Sequence, residues 1–418
     1  MLIIPCKILK QTRIKHFFLH PVQVLMYLNG MNRILFICTL ICFLVPAAQA
    51  QYSANVVPGA AQTSRYLPLL KNKRVALLVN QTATIGNTHL VDSLLKLQVK
   101  IQKIFSPEHG FRGNADAGEK VGNSTDAHTG LPVVSLYGQH RKATTADLQD
   151  VDILIFDIQD VGTRFYTYIS SLQELMESAA ENNKTLLILD RPNPNGDYVD
   201  GPVLDTAFRS FVGMQPIPVV HGMTVGEYAQ LLNGERWLKN GVPCNIIVIP
   251  CENYTHNTFY RLPVRPSPNL PNMAAINLYP SLCFFEGTNV SLGRGTDKPF
   301  QLFGAPGFPK QGFSFTPRSV AGAKNPPLKD QLCYGFDLSN APEATPEKGR
   351  RMEIKWLLEA YRLFPEKDKF FNNFFNKLAG NAQLQQQIKK GMSEKEIRKT
   401  WEPGLAKFKE IRAKYLLY

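Results

Sequence analysis

Asp152-Ile-Leu-Ile-Phe156 runs directly into Asp157-Ile-Gln-Asp-Val-Gly-Thr-Arg164. A short apolar run followed at once by polar side chains and a glycine reads as a strand that delivers a loop at its carboxyl end. Upstream the same grammar recurs in Val75-Ala-Leu-Leu-Val79, in a helical pattern near Thr88 to Leu97, and in strands from Val99 to Phe105 and from Val133 to Tyr137. Downstream come an amphipathic helix from about Thr167 to Asn182, a strand Thr185-Leu-Leu-Ile-Leu189, a helix from Thr224 to Lys239 and a strand Ile246-Ile-Val-Ile249. Strands alternating with helices over residues 55 to about 260 predict an α/β fold with a parallel, doubly wound sheet.

Beyond this region the texture changes. Arg261-Leu-Pro-Val-Arg-Pro-Ser-Pro-Asn-Leu-Pro-Asn272 holds four prolines, which remove backbone donors and disfavour helix and inner strand alike. It reads as an ordered crossing between a catalytic domain, residues 51–265, and a smaller α+β domain, residues 266–418. Within the second, short strands are expected from Gly312 to Phe315 and from Cys333 to Leu338, with closing helices from Gly349 to Tyr361 and from Ser393 to Tyr415.

The first fifty residues stand apart, with five positive charges (Lys7, Lys10, Arg13, Lys15, Arg33) and no acid. Met31-Asn-Arg precedes an apolar stretch from Ile34 to Val45, and Pro46-Ala-Ala-Gln-Ala50 ends in a small-x-small pattern. This is the layout of a secretory signal peptide with cleavage before Gln51. The apolar run to Ala48 is shorter than the roughly 20 residues a membrane span needs. Cys38 and Cys42 lie inside the run rather than at a lipidation site. The expected product is therefore secreted across the inner membrane into the periplasm, without stable membrane insertion after cleavage.

Hydrophobic residues make up 44% of the 418 positions and charged residues 19%, an ordinary globular balance with room for about two domains. Removing the leader takes away five of the thirteen net positive charges. The eight that remain favour association with anionic polymers, of which peptidoglycan is one fit among many; no nucleic-acid partner is expected, and no signature of oligomeric state is present. Four cysteines follow the leader, and Cys244 and Cys251 are a candidate local pair in an oxidising compartment.

Ligands of open α/β sheets bind beyond the carboxyl ends of the strands, and here those positions are densely polar. Asn80-Gln-Thr82 follows the first strand, Ser106-Pro-Glu-His-Gly-Phe-Arg-Gly113 the second, Asp157 to Arg164 the fourth, and Asp190-Arg-Pro-Asn-Pro-Asn-Gly196 the fifth. Glycoside hydrolysis needs two carboxyl groups flanking the bond, one protonating the leaving oxygen and one acting at the anomeric carbon. Glu108 is the candidate acid, since partial burial near Phe105 and Phe111 would raise its pKa; the ordinary alternative is a helix-capping or ion-paired Glu. His109, Arg112, Asp157, Asp160 and Arg164 fall at equivalent strand ends and join it as candidates, although Asp157 and Asp160 can equally cap the next helix.

In the second half, Phe284-Phe-Glu-Gly-Thr-Asn-Val-Ser-Leu-Gly-Arg-Gly-Thr296 is a polar, glycine-punctuated loop after an aromatic pair. Its Glu286 is the candidate second carboxylate, with Asn289 and Arg294 beside it. His109, His128, His140 and His221 show neither HxH nor HExxH spacing, so a metal site could arise only by assembly in three dimensions, and no metal or other cofactor is expected. There is no GxGxxG turn, P-loop or GxSxG elbow.

Several separated motifs together resemble the exo-β-N-acetylmuramidases of the NamZ type, from about Val75 to Tyr418. They are Ser106 to Gly113, Phe156-Asp-Ile-Gln-Asp-Val-Gly-Thr-Arg-Phe-Tyr-Thr-Tyr168, Asp190-Arg-Pro-Asn-Pro194, His221-Gly-Met-Thr-Val-Gly-Glu227, Pro266-Ser-Pro-Asn-Leu-Pro271, Glu286-Gly-Thr-Asn289 and Leu292-Gly-Arg-Gly-Thr296. The resemblance implies a Rossmann-like domain joined to a smaller C-terminal one, an active site in the cleft between them, and release of terminal N-acetylmuramic acid from the non-reducing end of peptidoglycan fragments. It carries the motif glutamate onto Glu108. Asn80, Asp190, Asn193, His221 and Asn269 complete the expected substrate-binding set. Arg112, Arg164 and Arg294 are the candidates to pair with the lactyl carboxylate that distinguishes muramic acid. An exo mode needs a pocket closed at one end, for which the loops Asp190 to Gly196 and Leu292 to Thr296 are candidates. The rival readings are a metal-dependent peptidoglycan amidase or deacetylase, and a non-catalytic protein that binds cell-wall glycans.

Overall fold

Val75, Leu77 and Val79 face one side of a strand and Ala76 and Leu78 the other, and all five are buried. A strand covered on both faces has no solvent side to mark with polar residues, so it reads as a continuous apolar run. This strand is β1 (Val75–Val79) of a computed structural model that describes residues 55–112, 122–310, 312–345 and 350–418. The leader, the processing site expected after Ala50 and Gly113 of the Ser106 motif lie outside the described residues.

In chain order there follow β2 (Thr84–Ile85), β3 (Thr88–His89), β4 (Ile101–Ser106), β5 (Ser124–Thr125), β6 (Pro132–Ser135), β7 (Ile153–Asp157), β8 (Thr185–Leu189) and β9 (Ile246–Ile249). The main sheet has the order β5-β6-β4-β1-β7-β8-β9. All neighbours are parallel except β5, which runs antiparallel to β6. The chain winds outward from β1 in one direction and, after crossing back to β7, in the other, which is the topology of a doubly wound Rossmann-like sheet.

Register fixes which side chains share a face. Leu77 aligns with Ile104 and Ile155, Ile155 with Leu187, and Leu187 with Ile247. This row packs with Tyr66 and Leu70 of helix Thr63–Leu70 and with Leu90, Val91 and Leu94 of helix Leu90–Lys96. One position along, Leu78 aligns with Phe105 and Phe156, and Phe156 with Ile188. That face carries helices Tyr168–Glu181 and Val225–Gly234, and its core continues without interruption into the C-terminal half. Each fully buried Leu, Ile or Phe on these faces contributes about 1.5–3 kcal/mol.

The C-terminal half opens with helix Met273–Leu282 and contains an antiparallel sheet, β10-β12-β11, built from β10 (Leu302–Ala305), β11 (Ser314–Phe315) and β12 (Cys333–Asp337). Five helices, Lys355–Leu363, Phe375–Ala379, Gln383–Lys389, Glu394–Lys399 and Glu402–Ala413, complete it. The described residues all belong to one unit.

Four local readings change. The helix expected from Thr88 starts at Leu90, because Thr84–Ile85 and Thr88–His89 pair as a hairpin first. The helix expected to reach Lys239 stops at Gly234. Helix Met273–Leu282 and strand β10 were not anticipated. Cys244 and Cys251 are buried free thiols rather than a disulfide, with the Cys251 Sγ hydrogen-bonded to the Asp190 carbonyl at 3.3 Å. Among the described residues, no helix is long and apolar enough to cross a membrane.

Candidate active site

β4 ends at Ser106, and the chain turns sharply beyond it: His109 and Gly110 both adopt left-handed backbone, with φ of 70° and 75°. That conformation is uncommon for a residue with a Cβ. The turn leaves Glu108 on the wall of a cavity of about 450 Å³, within the range of small-ligand pockets. Tyr137, just past β6, donates to Glu108 Oε1 at 2.8 Å, and Thr167, at the start of helix Tyr168–Glu181, donates to Oε2 at 3.1 Å. Both carboxyl oxygens are thus oriented by hydroxyl groups.

Glu286 lines the same cavity from the C-terminal half, on the 3₁₀ turn Cys283–Gly287 that follows helix Met273–Leu282. Its carboxylate is ion-paired with Arg294, whose guanidinium also lies 5.2 Å from the Phe300 ring centre. One carboxyl from each half of the chain therefore faces a single space.

Aromatic rings form much of the wall. Tyr166 meets Tyr168 edge-on at 4.9 Å and Tyr279 at 5.7 Å, and Tyr279 meets Phe300 at 4.8 Å. Burial raises the phenols of Tyr166, Tyr168 and Tyr279 above their ordinary range, so they are hydrogen-bond donors at neutral pH. Apolar faces with a few convergent polar groups are what a sugar ring, with its C–H faces and hydroxyl rim, requires.

Of the expected site residues, Glu108, His109, Asn269, Glu286 and Arg294 line this cavity. Asn269 also donates to the Gly322 carbonyl at 2.9 Å. Asn289 lies in an adjoining cavity of about 750 Å³ that shares Glu286, Arg294 and Phe374 with the first, and its amide donates to Lys369 O at 2.6 Å.

The structure does not bring the others there. Arg112 pairs with Asp126 at 2.9 Å and stacks on Phe111. Arg164 is wholly buried, and its guanidinium donates to the carbonyls of Pro202, Ile217, Leu378 and Ala379 at 2.7–2.9 Å. Without a carboxylate nearby, that burial lowers its pKa to about 9. Asp157, also buried, is engaged by Arg191 at 2.5 and 2.8 Å.

Asp160 accepts from the Gly162 N–H at 2.6 Å, and burial raises its pKa to about 7. Asp190 caps helix Val225–Gly234 by accepting from Thr224 and the Gly226 N–H, and it also accepts from the Tyr418 hydroxyl at 2.7 Å; burial raises it to about 6. The Asn80 side chain accepts from Thr82, Asn193 donates to the Met223 carbonyl, and His221 Nδ1 accepts from the Met223 N–H. Burial lowers His221 to about 3. These groups brace loops at the strand ends. Accordingly the Asp190 to Gly196 loop contributes nothing to the cavity wall, and Leu292 to Thr296 contributes Arg294. Among the described residues, no three His, Cys, Asp or Glu side chains gather as a metal site.

Sequence reasoning missed Tyr137, Arg141, Thr167 and Lys377, which all line the cavity. Tyr137 carries a legible signal, since it is the first hydroxyl after β6. Arg141 and Lys377 carry no local signal, since only the folded chain brings them together.

Comparison with known proteins agrees over both halves. The N-terminal model of exo-beta-N-acetylmuramidase NamZ matches residues 75–274 and the C-terminal model residues 277–418. The chain is 39% identical over 374 residues to the peptidoglycan beta-N-acetylmuramidase NamZ of Bacillus subtilis (strain 168), covering 84% of this chain and 89% of that one. Two crystal structures of DUF1343 family proteins from Bacteroides fragilis NCTC 9343 share the fold. One is 51% identical with a TM-score of 0.81, covering 87% of this chain and 99% of that one. The other is 28% identical with a TM-score of 0.75, covering 88% and 100%. The chain belongs to the exo-β-N-acetylmuramidase NamZ family.

Proposed function

We propose that this protein hydrolyses the β-linkage of a terminal, non-reducing N-acetylmuramic acid in peptidoglycan fragments, with Glu108 as general acid and Glu286 as the second carboxylate. The observation that carries the reading is the placement of these two carboxyl groups, one from each half of the chain, on one aromatic-walled cavity. Hydrolysis of a glycosidic bond needs a proton delivered to the departing oxygen and a carboxylate acting at the anomeric carbon. Tyr137 and Thr167 orient the Glu108 carboxyl, and Arg294 holds Glu286 against the cavity.

In this reading residues 51–265 and 266–418 act as two domains that close on the sugar. The N-terminal leader directs the chain across the inner membrane to the periplasm, which the charged start, apolar run and Ala48-Gln-Ala50 pattern support. Amino-terminal sequencing of exported protein should begin at Gln51.

The activity is tested by incubating the protein with two chemically defined peptidoglycan fragments, one ending in N-acetylmuramic acid and the other in N-acetylglucosamine at the non-reducing end. Mass spectrometry should show free N-acetylmuramic acid from the first and no monosaccharide from the second. Internal cleavage, or release of N-acetylglucosamine alone, would contradict the reading.

A further inference from the structure

Muramic acid differs from N-acetylglucosamine by a lactyl ether that ends in a carboxylate, so an enzyme selective for it needs a cation at the glycone. The three arginines that the sequence offers for this task are otherwise engaged. Arg112 is paired with Asp126, Arg164 is enclosed by backbone carbonyls, and Arg294 is paired with Glu286.

Two other cations line the cavity. Arg141 lies in the loop between β6 and the short helix Thr145–Leu148, with its guanidinium carbon 4.4 Å from the centre of the Phe211 ring, which also lines the cavity. Stacking of this kind holds the guanidinium plane while leaving its N–H edges to bind a ligand. Lys377 projects from helix Phe375–Ala379 on the C-terminal side. Among the described residues, neither Arg141 nor Lys377 has an ion-pair partner, whereas the other fully charged base in the wall, Arg294, does.

We infer that Arg141, assisted by Lys377, forms the subsite for the lactyl carboxylate and thereby sets the preference for muramic acid. The guanidinium fork matches a carboxylate in a bidentate way, and the lysine adds a point charge from the opposite half of the chain. The inference rests on the muramidase reading above and makes it specific.

The test compares kcat/KM for 4-nitrophenyl N-acetyl-β-muramide with that for its lactyl carboxamide, in the wild type and in the Arg141→Gln, Lys377→Gln and Arg141→Lys variants. Charge-assisted hydrogen bonds of this kind correspond to about a ten- to hundredfold preference. The wild type should favour the carboxylate by that factor. Arg141→Gln should reduce the ratio to near unity, mainly through KM; Lys377→Gln should reduce it less, and Arg141→Lys should restore part of it. A second reading uses the wild type alone: free N-acetylmuramic acid should inhibit at least about tenfold more strongly than its lactyl methyl ester. Hydrolysis of the muramide with an undiminished ratio in both Gln variants, or equal inhibition by acid and ester, overturns the inference while the muramidase reading stands. Hydrolysis of neither substrate by folded wild type overturns both.

Discussion

Tyr137 donates its phenolic hydrogen to Glu108 Oε1 at 2.8 Å. Burial raises the Tyr137 phenol well above its ordinary range, and the neighbouring Glu108 carboxyl adds to the shift. The phenol therefore remains a donor throughout the working pH range. Tyr137→Phe removes that donor and little else, so kcat should fall about tenfold or more with KM nearly unchanged. A KM effect with kcat intact would place Tyr137 in substrate binding rather than in orienting Glu108.

Glu286→Gln keeps the shape of the side chain and removes the charge that faces both Arg294 and the cavity. If Glu286 is the second carboxylate, turnover should drop by at least about a hundredfold, with the melting temperature changed by only a few degrees. A variant that retains a tenth or more of wild-type kcat would move the role to another group.

Arg164 should behave as a structural residue. Arg164→Met strips four backbone carbonyls of their donors in a site with no access to water. Unfolding in urea should show a loss of about 3 kcal/mol or more. The reading of Arg164 as a carboxylate-binding residue predicts instead a raised KM and unchanged stability.

Asp160 gives the stability a pH dependence of known sign. A carboxyl whose folded-state pKa is raised contributes its full stability below the unfolded value and loses it as the pH climbs through the folded value. For Asp160 the window runs from 3.8 to about 7, and buried Asp190 adds a narrower window from 3.8 to about 6. Asp160→Asn stays neutral and still offers an acceptor to the Gly162 N–H, so its melting temperature relative to wild type should rise between pH 5 and pH 8. An unchanged difference across that range would show that Asp160 is not protonated in the fold.

Much of the fold was legible because the strands at its centre, β1, β7 and β8, are apolar on both faces and are punctuated by polar strand ends. Helix Met273–Leu282 was not, since Pro280 sits inside it and four prolines precede it. β10 is four residues long and contains Gly304, which leaves no periodicity to read. At the site, position after a strand selected Glu108, which lines the cavity. It also selected Asp157, Asp160, Asp190 and Asn193, which the same strand ends use to fix their own loops. Polar density at a strand end marks a loop that must be ordered, and only geometry separates the side chains that order it from those that face a ligand. Arg141 and Lys377, 236 residues apart, meet at one cavity through tertiary structure alone.

The most direct test of the account is the release of free N-acetylmuramic acid from a muramic-terminated glycan by the protein starting at Gln51 and by its Glu108→Gln variant. The account predicts release by the wild type and a loss of at least about a hundredfold in the folded variant. Equal release by the two proteins would contradict it.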